Sequence, residues 1–263
     1  MSSLPSLHLF GAATPTGEAF RQLGLSADPA RPLHAYSRRA PAPTDRADFT
    51  NPEAFRPAGE PGFRAIWISF GPIWLLAPFL EQLARDHPER LAGLRGLIAC
   101  SSSSAITKRF AANRFDRELV ARLTGAEDQL LATCRRLDVP CRILRPSLIY
   151  GQAGPYGDRN LSRLLALLRR LPLVPLPAHT GLRQPIHARQ LAAVALHLAQ
   201  QLHGSGWDES LPARIALGGD TTLTYAAMIR ALQQAQPPGD PARRCRLLPI
   251  PNRLFFALAS PLL

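Results

Sequence analysis

The chain has 263 residues, 46% of them hydrophobic and 19% charged, with 18 Gly, 26 Pro and a mean hydropathy of −0.05. Such a composition excludes a disordered chain and a collagen or heptad fibre, and it suffices for one large α/β domain with a small appended lobe. The net charge is +12, yet only one of the 31 basic residues is a lysine, Lys108. The arginines are scattered in pairs such as Arg38-Arg39 and Arg169-Arg170, with no long basic run and no interleaved aromatics. A nucleic-acid surface is therefore not expected; the excess reads as a preference for Arg over Lys, and after that as a means of binding small anions. Four cysteines at 100, 134, 141 and 245 form no C-x-x-C pair, which excludes a zinc ribbon and points to a reducing cytoplasm. No basic residue precedes Arg21 and Leu7–Phe10 already reads as a strand, so no signal peptide is expected. The longest apolar run, Ile66–Leu80, is broken by Ser69, Gly71 and Pro72 and falls short of the roughly 20 residues that span a bilayer.

In chain order, strands are predicted at Leu7–Phe10, Leu33–Tyr36, Ala65–Phe70, Leu97–Cys100 and Cys141–Leu144, with a short element near Asp48. Between them, helical spacing runs through Thr16–Leu23, Trp74–Arg85 and Leu119–Leu137. Alternation of this kind predicts a parallel sheet covered by helices on both faces. After about residue 150 the pattern loosens. Gly151–Asp158 reads as a loop, Leu161–Leu171 as a helix and Leu171–Gln184, with three prolines, as irregular. A helix at Ala188–Leu202, a strand at Arg214–Leu217 and a helix at Tyr225–Ala235 follow. The sheet domain is placed at 1–150 and a smaller lobe, interleaved with it, at 151–263.

The first strand runs directly into Gly11-Ala12-Ala13-Thr14-Pro15-Thr16-Gly17. In a dinucleotide fingerprint the first glycine permits the tight turn, the middle one admits the phosphates and the last lets the helix pack on the strand. Gly11 and Gly17 fill the outer positions; Thr14 stands in the middle, where its hydroxyl is expected to donate to a phosphate oxygen. The second strand ends in Ser37-Arg38-Arg39 with no carboxylate. Arginine there accommodates a 2′-phosphate, so NADP is expected over NAD.

With these landmarks the chain resembles the extended and atypical short-chain dehydrogenase/reductases, in particular the NAD-dependent epimerase/dehydratase group. The resemblance continues through Asp48-Phe49, the run Ser101-Ser102-Ser103-Ser104, Arg145-Pro146-Ser147-Leu148-Ile149-Tyr150-Gly151 and Gly181-Leu182-Arg183-Gln184-Pro185-Ile186-His187. It implies a Rossmann-like doubly wound sheet binding NAD(P), with a C-terminal lobe shaping a cleft, often for nucleotide sugars. Asp48 and Phe49 would lie near the adenine, Pro146, Ser147 and Leu148 near the nicotinamide, and one of the serines would meet the substrate hydroxyl. Dimerisation through the long helix is also frequent in the group.

One part of the family pattern is missing. The group's Tyr-x-x-x-Lys pair carries the proton that accompanies hydride. No tyrosine here is followed by lysine four residues on, and aligning Glu127 with the family's usual helix acid puts Leu119 and Leu123 at those positions. Lys108 with Ser102 or Ser103 is the expected polar centre of the cleft in its place. In the second lobe, Tyr150, Arg159, Asn160 and Arg183 are candidate substrate contacts, Arg159 and Arg183 as phosphate clamps; Asp158 or Asn160 could equally cap the following helix. His187 reads as structural. The tail Pro251–Leu263 is expected to dock on the second lobe, with a membrane interface as the alternative. Two functional readings stay open: an NADP-dependent reductase, epimerase or dehydratase with a non-standard proton donor, and a non-catalytic NAD(P)-binding protein.

Overall fold

The computed structural model describes residues 4–38, 45–58, 64–202 and 208–259, the side chains of 256–259 apart. Its frame is β1 (Ser6–Phe10), α1 (Pro15–Ala27), β2 (Leu33–Ser37), β3 (Asp45–Arg46), β4 (Ala65–Ser69), α2 (Ile73–Asp86), β5 (Leu94–Cys100), α3 (Ser104–Thr107), α4 (Arg114–Arg136) and β6 (Cys141–Pro146). The short strands β7 (Ile149–Tyr150), β8 (Gln152–Ala153) and β9 (Tyr156–Gly157) lead to α5 (Asn160–Arg170), β10 (Leu173–Pro177), β11 (Leu182–Arg183) and β12 (Ile186–His187). Then come α6 (Ala188–Gln201), β13 (Arg214–Leu217), β14 (Leu223–Thr224), α7 (Tyr225–Gln234), β15 (Arg246–Ile250) and α8 (Asn252–Ala259).

Seven strands form one sheet in the order β13-β6-β5-β4-β1-β2-β3, and every pairing in it is parallel. β1 and β4 are buried along their whole length, as strands covered on both faces must be. On one face α2 and α4 pack over Trp67, Leu97 and Ile143; on the other α1 and α6 pack over Leu9, Ile68 and Leu144. The chain is thus doubly wound, with β1 and β4 adjacent where its direction across the sheet reverses. Such a point opens a crevice at the carboxyl ends of the strands.

The second lobe has its own small core of Leu168, Val174, Leu176, Ile229, Ala242 and Cys245. Two elements late in the chain return to the sheet: α6 packs on α1, and β13 pairs with β6 from Arg214↔Ile143 to Leu217↔Pro146. The stretch Leu171–Gln184, read as irregular, contains β10, which pairs in parallel with β15. α8 packs against β10.

Candidate functional site

A cleft of about 980 Å³ opens at the β1/β4 switch point, lined by Phe10, Gly11, Phe70 and Gly71 from the ends of those strands. Three helices direct their N-termini into it, through Ala13–Thr16 of α1, Pro72–Leu75 of α2 and Asp158–Asn160 before α5. Each N-terminus carries roughly half a positive charge in its unpaired N–H groups, so their convergence favours an anion.

Two glycines of the first turn have distinct duties. Gly11 has φ +77°, and a Cβ there would lie 2.9 Å from the Gly71 nitrogen and the Phe70 carbonyl carbon. A Cβ on Gly17 would sit 2.3 Å from the Gly11 oxygen, so only glycine lets α1 begin this close to the turn. Thr14 behaves differently from expectation. Its hydroxyl donates to the Gly11 carbonyl at 2.8 Å and accepts from the Gly17 N–H at 3.0 Å. It therefore closes the turn and caps α1, and its proton is committed within the chain rather than to a phosphate. Ala13, Thr14, Pro15 and Thr16 all line the cleft, and the N–H groups of Ala13, Thr14 and Thr16 take no partner among the described residues.

At the β2 side the cleft is bounded by Tyr36, Ser37, Arg38, Ala47, Asp48 and Phe49; Arg39 lies outside the described residues. Asp48 accepts from the backbone and hydroxyl of Thr50, at 3.0 and 2.8 Å. Those bonds hold its carboxyl below the usual range, with Arg38 and Arg46 adding a smaller pull. Tyr36 is fully buried, and it belongs to a chain of polar groups under this wall. The Ala58 N–H donates to Tyr36 Oη at 2.8 Å, Tyr36 Oη and His8 Nδ1 are 3.0 Å apart, and His8 Nε2 is 3.0 Å from Ser6 Oγ. One tautomer satisfies every member: Tyr36 donates to Nδ1, and Nε2–H donates to Ser6. Burial, aided by the neighbouring His34, pushes the His8 pKa down to about 3.

The α4 side of the cleft is apolar. Leu123 lines the cleft beside Trp74 and Leu75 of α2, and Leu119, one turn earlier, packs half-buried on the core. Cys100, Ser101 and Ser102 form the adjoining floor. Burial raises the Cys100 thiol to about 12, which removes it as a nucleophile near neutral pH. Ser101 donates to Glu127 at 2.5 Å. Glu127 is fully buried, and its carboxylate is also held by Arg145 and by Arg214 Nε at 3.0 Å. This cluster ties α4 to β5, β6 and β13 beneath the cleft. Ser102 Oγ accepts from the Ser104 N–H at 3.1 Å.

Lys108 does not stand at the polar centre of the cleft. Its ammonium pairs with Asp116 at 2.6 Å, in the first turn of α4, and neither it nor Ser103 lines the cleft. Ser103 instead donates its N–H to Pro146 at the start of α3. Pro146, Ser147 and Leu148 are likewise absent from the lining, where Ile149 stands in their place; the Ser147 hydroxyl donates to the Gln184 carbonyl. Tyr150 faces the other way from Ile149, as alternation along a strand requires. It meets His187 edge-on and lines a shallow hollow with Arg189 and Gln190. His187 caps α6 through a reciprocal pair with Gln190. Arg159 and Asn160 line the cleft, whereas Arg183 lies over the Tyr225 ring at 5.7 Å and does not. Asp158 accepts from the Leu161 N–H at 2.7 Å, so it caps α5.

Trp74 and Tyr156 are among the lining residues that the sequence does not single out. Trp74 was counted only within a helix, and Tyr156 only within a loop, because the β8–β9 hairpin that carries Tyr156 over α1 consists of two-residue strands. Tyr156 is half-buried and its hydroxyl has no hydrogen-bond partner among the described residues.

No family model matches the sequence, and no curated protein does. Solved structures do match. A UDP-N-acetylglucosamine 4-epimerase from Bacillus cereus superposes with TM-score 0.65 at 12% identity, over 94% of this chain and 86% of that one. The fold is that of the nucleotide-sugar epimerases and dehydratases. A GDP-mannoheptose C4 reductase from Campylobacter jejuni with NADP bound gives 0.64 at 13% identity, over 97% and 92%. A dTDP-glucose 4,6-dehydratase from Bacillus anthracis in complex with NAD gives 0.60 at 12%, over 94% and 85%. The epimerase/dehydratase likeness thus spans both the sheet and the second lobe.

Proposed function

We propose that this chain binds NAD(P) across the switch-point cleft, NADP in preference to NAD. The observation that supports this most is the α1 turn, where Gly11 and Gly17 have no room for a side chain and three N–H groups are unpartnered among the described residues. Those groups would hold the pyrophosphate, with Arg159 on the opposite wall. Arg38 would meet a 2′-phosphate, since the neighbouring Asp48 is engaged by Thr50. An NADP(H) pool and four unpaired thiols both suit the cytoplasm.

A bound NADPH would supply a hydride, which a carbonyl substrate accepts only if a proton arrives with it. The standard donor pair is absent from the sequence, Leu123 faces the cleft and Lys108 is paired with Asp116. We therefore favour a protein that holds the dinucleotide without the family's proton transfer. A second reading keeps an enzyme: a reductase, epimerase or dehydratase acting on a nucleotide sugar or similar small anion, with Tyr156 as the non-standard donor. It is supported by the free Tyr156 hydroxyl and by Ser102 in the same cleft.

Titration with NADPH and NADH separately, followed by nucleotide fluorescence and melting temperature, tests the first reading. NADPH is expected to bind more tightly than NADH; binding of neither overturns it. Incubation with NADPH and a panel of nucleotide sugars then separates the two uses. NADPH oxidation that Tyr156→Phe abolishes would establish the second reading over the first.

A further inference from the structure

The two most exposed large apolar side chains among the described residues are Phe110 and Phe115, at 85% and 75%. Phe110 follows the short helix α3, and Phe115 stands in the first turn of α4. Ile106, also exposed, accompanies them. The Arg109 guanidinium lies 4.6 Å from the centre of the Phe110 ring and has no acidic partner among the described residues. Arg114 and Arg117 flank Phe115, both exposed. Of the two acids nearby, Asp116 is held by Lys108 and Asn113, and Glu118 by Arg114. The segment 106–118 thus presents two rings and an isoleucine at a tip where Lys108 and Arg114 are paired with the two acids and Arg109 and Arg117 leave an excess of two positive charges.

An apolar tip in a cationic collar fits the boundary of a bilayer, where rings enter the acyl edge and arginines meet phosphate headgroups. A second copy of this chain fits poorly, because a two-fold contact through the tip would set Arg109, Arg114 and Arg117 against their own counterparts. We propose that the 106–118 segment docks this protein on anionic lipid surfaces, with Phe110 and Phe115 inserted and Arg109 and Arg117 on lipid phosphates. The proposal rests on this patch alone and not on the cofactor reading.

The test is co-sedimentation of the full chain with vesicles of pure phosphatidylcholine and with vesicles in which about one-third of the lipid is phosphatidylglycerol. Binding is expected to the anionic vesicles only and to weaken as salt is raised. Phe110→Ser with Phe115→Ser is expected to weaken it about tenfold or more, with the melting temperature held, since neither ring is buried. As an independent readout, Phe110→Trp should add emission that shifts to the blue on anionic vesicles. Failure to pellet with either vesicle overturns the proposal. So does binding that the double substitution leaves unchanged, which would assign the contact elsewhere, for example to the C-terminal tail. A concentration-dependent dimer lost in the double variant, or tight binding of single-stranded DNA through the same rings, without vesicle binding in either case, also overturns it.

Discussion

The buried chain Ser6–His8–Tyr36–Ala58 makes stability depend on pH. His8 is 2% exposed and its pKa falls from 6.5 to about 3 on folding. The unfolded chain therefore binds a proton below pH 6.5 that the folded chain refuses. Stability is complete above 6.5 and declines as pH falls, by about 1.4 kcal/mol per unit between the two values. From pH 7 to pH 5 the loss is about 2 kcal/mol. The carboxylates held low by partners, Glu18, Asp48, Asp116 and Asp240 among them, act in the same direction but only from their unfolded values near 4 downward. Structurally, a proton on Nδ1 would turn it into a donor toward a Tyr36 hydroxyl that already accepts from Ala58, leaving the phenol proton with no acceptor. Urea unfolding at pH 7 and pH 5 measures the difference. In His8→Asn the amide oxygen can still accept from Tyr36 while the titrating ring is gone, so most of the decline should vanish. An equal decline in the variant would refute the assignment to His8.

The remaining predictions concern the cleft and its foundation. Gly17→Ala places a methyl 2.3 Å from the Gly11 oxygen, so α1 must shift; NADPH affinity should fall by about tenfold or more in a fluorescence titration. Arg38→Ser should weaken NADPH about tenfold and leave NADH unchanged, because only the 2′-phosphate distinguishes them; an equal loss for both would show that Arg38 does not read that group. Glu127→Gln leaves Arg145 and Arg214 without their buried counter-charge and should cost about 3 kcal/mol in chemical denaturation. Asp158→Ala removes the cap on α5 and should lower stability by about 1 kcal/mol.

How much of this was legible in the sequence depended on whether a feature is made by neighbours in the chain. The glycine turn was readable because Gly11 and Gly17 answer to a few residues around them, and the doubly wound sheet was readable from alternating apolar periods. β10 was not, because Pro172, Pro175 and Pro177 read as breakers. In a two-stranded pair only one edge of β10 needs donors, and proline is tolerated on the other. The role of Lys108 was also hidden. A lone lysine after a serine run suggests a cleft, but its neighbour is fixed by where α4 begins, and that brings Asp116 to it first. Tyr156 and Arg183 illustrate the same limit from opposite sides. Both sit on two-residue strands of the second lobe, and only the packing of that lobe places the tyrosine in the cleft and the arginine on Tyr225.

The two ends of the cleft differ in what they offer a ligand. At the α1 end stand a turn with no spare room, N–H groups unpartnered among the described residues and arginines on two walls, which are the elements the proposed phosphate contacts use. At the α4 end stands Leu123, 1% exposed, one helical turn before Glu127 and at the position the sequence resemblance aligns with the family's lysine. A lysine there would need a counter-charge, and Glu127 is the acid within reach on that face. Its carboxylate already satisfies Arg145, Arg214 and Ser101. The network that braces α4 on the sheet has thus taken the partner a catalytic lysine would use, and a buried unpaired ammonium would lose its proton rather than persist. Introducing a lysine at 123 would therefore not by itself supply the proton transfer, whereas the proposed phosphate contacts at the α1 end call for no change. That asymmetry is the physical reason for placing dinucleotide binding before turnover.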